Sequence, residues 1–172
     1  LVGLNVTRKA KQPSWFSKSF AEYLISNYCT CDTIVDPFAG WGTRNDAAVS
    51  LKKTYIGCDL NPELVKWHES NNRNIVCQDA IDFKYTGECS VLTCPPYGDT
   101  EIYFEGQQIL DECSWFDIII KNIPNAREYV LVCHKVSDKY KPFIVETKEN
   151  KSHFGANTEY VLLVPSTFNE TI

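Results

Sequence analysis

Two short stretches of this chain combine residue types that can do chemistry. Asp36-Pro37-Phe38-Ala39-Gly40-Trp41-Gly42-Thr43 follows the apolar Ile34-Val35, and Cys94-Pro95-Pro96-Tyr97 follows Cys89-Ser90-Val91-Leu92-Thr93 further along. The first has an acidic strand end, two glycines and a helix start, an order that α/β sheets use to bring backbone close to a nucleoside. Gly40 and Gly42 lack side chains where the chain must turn sharply and approach a ligand. Thr43 can cap the helix that follows, whose amide end favours a carboxylate. In the second stretch, Pro95 and Pro96 fix the backbone after Cys94, so that a carbonyl oxygen can be aimed as a preorganised acceptor. The Tyr97 ring beside it can stack on a planar group.

Two further carboxylates sit where ligands of such sheets are held. Asp59 ends the next apolar run, Tyr55 to Asp59, and its two oxygens can accept from both hydroxyls of a ribose. Asp79 follows Asn74 to Cys77 and is either a ligand group or the cap of a helix from Ala80 onward.

The elements that must position these groups alternate. Ser14 can cap a helix carrying Phe16, Phe20, Tyr23 and Leu24 on one face. Thr33 to Asp36 is expected as a strand, Thr43 to Leu51 as a helix, Tyr55 to Asp59 as a strand, and Asn61-Pro62 as the cap and first turn of a helix through His68. Asn74 to Cys77, Cys89 to Thr93 and Tyr129 to Cys133 follow as strands, with a long amphipathic helix over Gln107 to Ile123 before the last. Phe143 to Thr147 and Glu159 to Val164 have no helix between them and are expected to pair antiparallel. The fold class is α/β, a doubly wound, seven-stranded, mostly parallel sheet with an antiparallel terminal hairpin.

With 172 residues, the chain is expected to form one domain, residues 1–172, with a substantial core. No apolar run suits a bilayer span and no leader is evident at the start, so a soluble, cytoplasmic protein with no membrane partner is expected. Eight cysteines show no repeated C-x-x-C spacing, which favours buried thiols over disulfides or zinc, and no metal site is expected. The net charge of −5 does not fit a protein held to nucleic acid by bulk electrostatics. Charge is uneven, however. Asp99 to Asp117 carries six acidic and no basic residues, while Arg127 to His153 carries six Lys or Arg against four Asp or Glu, so the later segment is either the contact for a bound polyanion or a solvated surface of uneven charge.

The two stretches, in this order, resemble the first and fourth motifs of the S-adenosylmethionine-dependent DNA amino-methyltransferases, which act on the exocyclic amine of adenine or cytosine. Lys11-Gln12-Pro13 followed by Ser14-Trp15-Phe16 resembles the family's tenth motif, which closes over the methionine end of the cofactor. The resemblance implies the methyltransferase variant of the doubly wound sheet and S-adenosyl-L-methionine as cofactor. Its contacts would be Trp15, Phe16, Asp36, Phe38, Gly40, Gly42, Thr43, Asp59 and Asp79, with Asp59 on the ribose and Asp79 on the adenine amine. Cys94, Pro95, Pro96 and Tyr97 would form the acceptor site for a base flipped out of duplex DNA.

An exocyclic amine is a poor nucleophile because its lone pair is delocalised into the ring. Such a site therefore needs acceptors for the amine hydrogens more than a strong base. Cys94 departs from the family, in which Asp, Asn or Ser occupies that place, and a thiol is the weakest acceptor of these. Its likeness in shape to Ser leans slightly towards cytosine N4 over adenine N6. Related Pro-Pro-Tyr sites also serve RNA and protein glutamine, and a degenerate cofactor-binding subunit is the remaining alternative. The compact form resembles phage-encoded methylases. No separate target-recognition domain is evident, so sequence specificity would come from loops between Lys135 and Asn157, from residues before Leu1, or from a partner chain or second copy.

Overall fold

The computed structural model describes residues 16–96, 110–152 and 155–171. Seven strands form one sheet in the order β3-β2-β1-β4-β5-β7-β6. They are β1 (Thr33–Asp36), β2 (Thr54–Asp59), β3 (Ile75–Cys77), β4 (Cys89–Thr93), β5 (Ala126–Cys133), β6 (Ile144–Ser152) and β7 (Gly155–Pro165). The first five run parallel; β7 is antiparallel to both β5 and β6. The expected fold class is borne out, including the terminal hairpin. Strand order reverses between β1 and β4, and ligands of open α/β sheets bind beyond the carboxyl ends of the strands at such a switch.

Among the described residues four α-helices cover the sheet: α1 (Lys18–Tyr28), α2 (Thr43–Ser50), α3 (Pro62–Ser70) and α4 (Glu112–Asn122). The cap of α1 is Ser17, whose hydroxyl accepts from the Phe20 amide at 3.1 Å. Ser14, the expected cap, lies outside the described residues; Ser17 satisfies an orphan first-turn amide of the described helix, and Phe16 precedes it. Asn61 caps α3 as expected, accepting from Glu63 and Leu64 ahead of a proline in the first turn. Of the long helix expected over Gln107 to Ile123, residues 107–109 lie outside the described residues; α4 starts at Glu112, where Asp111 accepts from the Cys113 and Ser114 amides and fixes the first turn.

The strands' alternation sorts the core into two faces. Leu92, Val130, Val132 and Val161 pack with Leu24, Ile25, Ala47, Ala48 and Val65, so α1, α2 and α3 share one face. Val91, Tyr129, Leu131, Cys133, Leu162 and Val164 pack with Phe116, Ile119 and Ile120 of α4 on the other. Between β3 and β4, turns take the place of a helix and contribute Phe83 to that second face. Of the strand cysteines, Cys58, Cys89 and Cys133 are buried as expected, whereas Cys77 on edge strand β3 is exposed. Burial pushes the Cys89 thiol up to about 12.

Candidate active site at the carboxyl ends of β1, β2 and β4

Gly40 and Gly42 adopt positive φ, +52° and +76°. A Cβ on Gly40 would meet nothing closer than the Phe38 carbonyl at 4.0 Å, so this glycine faces open space. A Cβ on Gly42 would meet His68 Cε1 at 2.9 Å and Arg73 at 3.0 Å. Of the two glycines, Gly40 leaves open space at the turn and Gly42 makes room for His68 and Arg73. Gly42 also occupies the cap position of α2 without a side-chain bond, and Thr43 is the first helical residue. The expected Thr43 cap is corrected: the left-handed turn at Gly42 brings the chain into the helix directly.

Asp59 is partly buried at the end of β2. One oxygen accepts from the Gly40 amide and the other from the Asn61 amide, each at 2.9 Å. A carboxylate has about four acceptor positions, so two remain for hydroxyl donors. Burial holds the Asp59 carboxyl above its ordinary range, against the lowering effect of the two amides. The position suits a ribose and is joined directly to the open glycine turn.

Asp36 is placed differently from its expected role. It is fully buried, and its carboxylate accepts from Arg44 Nε, Tyr55 Oη and Thr93 Oγ1, each at 2.6 Å, and from the Phe38 amide at 3.1 Å. Four protein donors fill its acceptor positions, so Asp36 ties β1 to β2, β4 and α2 and has nothing left for a ligand. Arg44 also donates to the Phe38 carbonyl and lies over the buried Phe16 ring at 4.9 Å. Phe16 is therefore part of the packing around this ion pair. Phe38 is half-buried and meets Trp115 edge-on at 5.0 Å. The buried Trp115 Nε1 has no hydrogen-bond partner among the described residues.

Asp79 makes a local turn: its side chain accepts from the Ile81 amide at 2.9 Å and its carbonyl from Asp82 and Phe83, with no helix following. At the end of β4, Pro95 and Pro96 are buried, and Cys94 is partly buried against the face that carries Leu92. Trp15 and Tyr97 lie outside the described residues.

His68 and Arg73 were not singled out by their sequence context. His68 Nε2 is 2.7 Å from the Gly40 carbonyl, and Nδ1 is 3.3 Å from an Arg73 guanidinium nitrogen. A guanidinium only donates and a carbonyl only accepts, so the ring is neutral with its proton on Nε2. Arg73 continues to Asp46 at 2.8 Å and covers the Trp67 ring at 4.6 Å. The one available signal was a histidine on the buried stripe of an otherwise polar helix.

The strands β2, β1 and β4 are neighbours, so the glycine turn and Asp59 lie on one side of the switch and Cys94-Pro95-Pro96 on the other. A family model of DNA methylases, the N6 and N4 methyltransferases, matches residues 4–71. The resemblance carried by the motifs is thus supported by the run of sequence through the tenth and first motifs. The type II methyltransferase M.HpaI of Haemophilus parainfluenzae is 29% identical over 112 residues, which are 63% of this chain and 31% of that protein. The chain spans about a third of the length of that relative.

Solved structures agree on the fold. TrmN from Thermus thermophilus superposes with a TM-score of 0.54 at 14% identity, covering 86% of this chain and 48% of its own. Magnesium protoporphyrin IX methyltransferase from Synechocystis, solved with bound S-adenosylmethionine, gives 0.56 at 14% identity and covers 85% and 76%. The fold is that of the S-adenosylmethionine-dependent methyltransferases.

Proposed function

We propose that this chain is the catalytic domain of a methyltransferase that moves a methyl group from S-adenosyl-L-methionine to the exocyclic amine of a base in DNA, cytosine N4 or adenine N6. The observation that carries this reading is the pairing, across the β1–β4 switch, of an open glycine turn bonded to Asp59 with a partly buried Cys94 followed by two buried prolines. The methylase family match over residues 4–71 and the likeness to M.HpaI support DNA as the substrate.

Gly40 and Asp59 would hold the nucleoside part of the donor, and Phe38 would bound its reactive end. When bound, S-adenosylmethionine supplies a methyl group on a positively charged sulfur. Asp36 does not touch the donor; it fixes the turn through the Phe38 amide and Arg44. The acceptor side would receive the base in a flipped state, with Tyr97 stacking on it. Target specificity would come from the hairpin β6–β7, from a partner chain or from a second copy. Among the described residues no helix is long and apolar enough to cross a membrane.

The deciding experiment is transfer of labelled methyl from S-adenosylmethionine to unmethylated duplex DNA, single-stranded DNA, RNA and protein, with digestion to identify the modified unit. Label on a cytosine or adenine amine is the expected result. Label confined to RNA or protein would overturn the DNA assignment, and donor binding without transfer would mark a degenerate subunit. Within this reading, Asp59→Ala weakens donor binding by at least tenfold, measured by calorimetry.

A further inference from the structure

Binding DNA means holding a phosphate backbone, yet a net charge of −5 gives this chain little bulk attraction for a polyanion. The attraction has to be local, so the place and the partners of each cation decide what it can do. Beside the site, Arg44 is buried on Asp36, and Arg73 is bound to Asp46 at 2.8 Å. On the turn that leaves β5, Lys139 pairs with Asp117 at 2.8 Å and Lys141 with Asp138 at 2.6 Å. Lys135, on the same turn, is exposed and has no ion pair among the described residues.

The backbone that presents Lys135 is fixed by protein contacts. Its amide and that of His134 donate to the same Glu112 oxygen, at 3.2 Å and 2.6 Å. Glu112 is 5% exposed, and burial holds its carboxyl above the ordinary range, against the pull of those amides and of the neighbouring His134 and Lys135. Further along, the Ser137 amide donates to Cys113 Sγ at 3.3 Å, and the Ser137 carbonyl accepts from the Tyr140 and Lys141 amides. The His134 ring lies 3.7 Å, nitrogen to oxygen, from the buried Glu159. The turn is thus tied to α4 and β7, while the Lys135 side chain stays exposed. Its place is beside the acceptor motif. β4 and β5 are parallel neighbours with Thr93 level with Leu131, so by that register Pro96 is level with His134, and Lys135 stands one residue beyond. A strand spacing of ~4.8 Å keeps the two segments adjacent.

We propose that Lys135 binds a phosphate of the DNA strand that carries the target base. This rests on the methyltransferase reading above. A base turned out of the duplex stays attached through its sugar to the phosphates on either side, and these come to the rim of the acceptor site. A lysine ammonium is a compact charge with three donors on a flexible stem, suited to a phosphate oxygen whose direction changes as the nucleotide rotates. The buried Glu112 also attracts it, but a phosphate at the surface can be met without taking the ammonium out of water. Because Glu112 already holds the backbone, binding has only the side chain left to order. Such a contact carries no sequence information; it fixes the register of the strand over the site.

The test is binding of a fluorescent, unmethylated mixed-sequence duplex by the full chain over a series of salt concentrations, with methyl transfer and donor calorimetry alongside. Lys135→Gln is expected to weaken duplex binding about tenfold at low salt and to reduce the slope of log affinity against log salt by about 1. Lys135→Arg keeps the charge and should stay within threefold of wild type. In Lys135→Gln the KM for DNA should rise, while the transfer rate at saturating DNA and the donor affinity stay within about twofold. Lys121→Gln is the control: this exposed lysine lies in the last turn of α4, away from the acceptor end, and the slope should not change. A wild-type slope in Lys135→Gln, or an equal loss in Lys121→Gln, overturns this inference alone. So does a lowered urea midpoint with unchanged DNA binding, which would leave Lys135 with a purely structural part beside Glu112. Duplex binding by the wild type that is absent or independent of salt also overturns it, and no label on DNA from the wild type overturns it together with the DNA reading.

Discussion

His68 Nε2 sits 2.7 Å from the carbonyl oxygen of Gly40, so a side chain of α3 holds the glycine turn proposed to receive the donor. Burial keeps the imidazole below its ordinary range, and a proton on Nδ1 would face the Arg73 guanidinium. The sign of the pH effect follows. The unfolded chain binds this proton at a higher pH than the folded one, so His68 contributes stability above the ordinary imidazole range that is lost as pH falls through its lowered value. Urea midpoints of wild type should decline over this acidic window. In His68→Gln, whose amide can still donate to Gly40, that part of the slope should be missing.

The two glycines differ in what surrounds them: one faces open space and the other faces protein. Gly42→Ala puts a Cβ within 2.9 Å of His68 and strains a left-handed residue, so a loss of ~2 kcal/mol or more in unfolding free energy is expected. Gly40→Ala meets no atom closer than 4.0 Å and should cost only the conformational ~1 kcal/mol. Its larger effect should be on donor affinity, lowered by at least tenfold, because the added methyl enters the open side of the turn. Equal donor affinities for Gly40→Ala and wild type would refute the placement of the ligand.

Breaking the Asp36–Arg44 pair should unfold the protein before it affects chemistry. Arg44→Met leaves a fully buried carboxylate with Tyr55, Thr93 and one amide, and removal of one partner of a buried pair costs about 3–5 kcal/mol. Chemical denaturation should show a loss in that range. A change under about 1 kcal/mol would mean that the pair is not the tie between β1 and α2 described above.

At the opposite, amino ends of the strands, Glu128 accepts from the Thr30 amide and hydroxyl at 2.8 Å and from the Ser90 hydroxyl. Glu128→Leu leaves these donors unpaired and should destabilise by ~1–3 kcal/mol. Below the unfolding range, its donor affinity and transfer rate should equal those of wild type. Loss of either would show that the two ends of the sheet are coupled.

Under the proposed function, Asp59 should set a pH dependence of donor binding. Its carboxyl is held above the ordinary range by burial, so the carboxylate that would receive hydroxyls is lost on mild acidification, earlier than for an exposed aspartate. Donor affinity should fall as pH drops through that raised value. Asp59→Asn should bind weakly at every pH, without the slope.

The alternation of strands and helices, Asn61 as a cap, and both motifs at strand ends were legible in the chain because each depends on local periodicity or on one or two neighbouring residues. The sheet class followed from those elements and from handed crossovers, which leave few alternatives. What the chain alone left undecided were the partners of its polar groups. Asp36 and Asp59 look alike as acids ending strands, yet one is closed by donors from Arg44, Tyr55 and Thr93 and the other stays open beside Gly40. Gly42 and Gly40 likewise differ only in what packs against them. His68 and the His134–Glu159 pair were invisible for the same reason: their partners come from distant segments, and only the strand order and register bring those segments together.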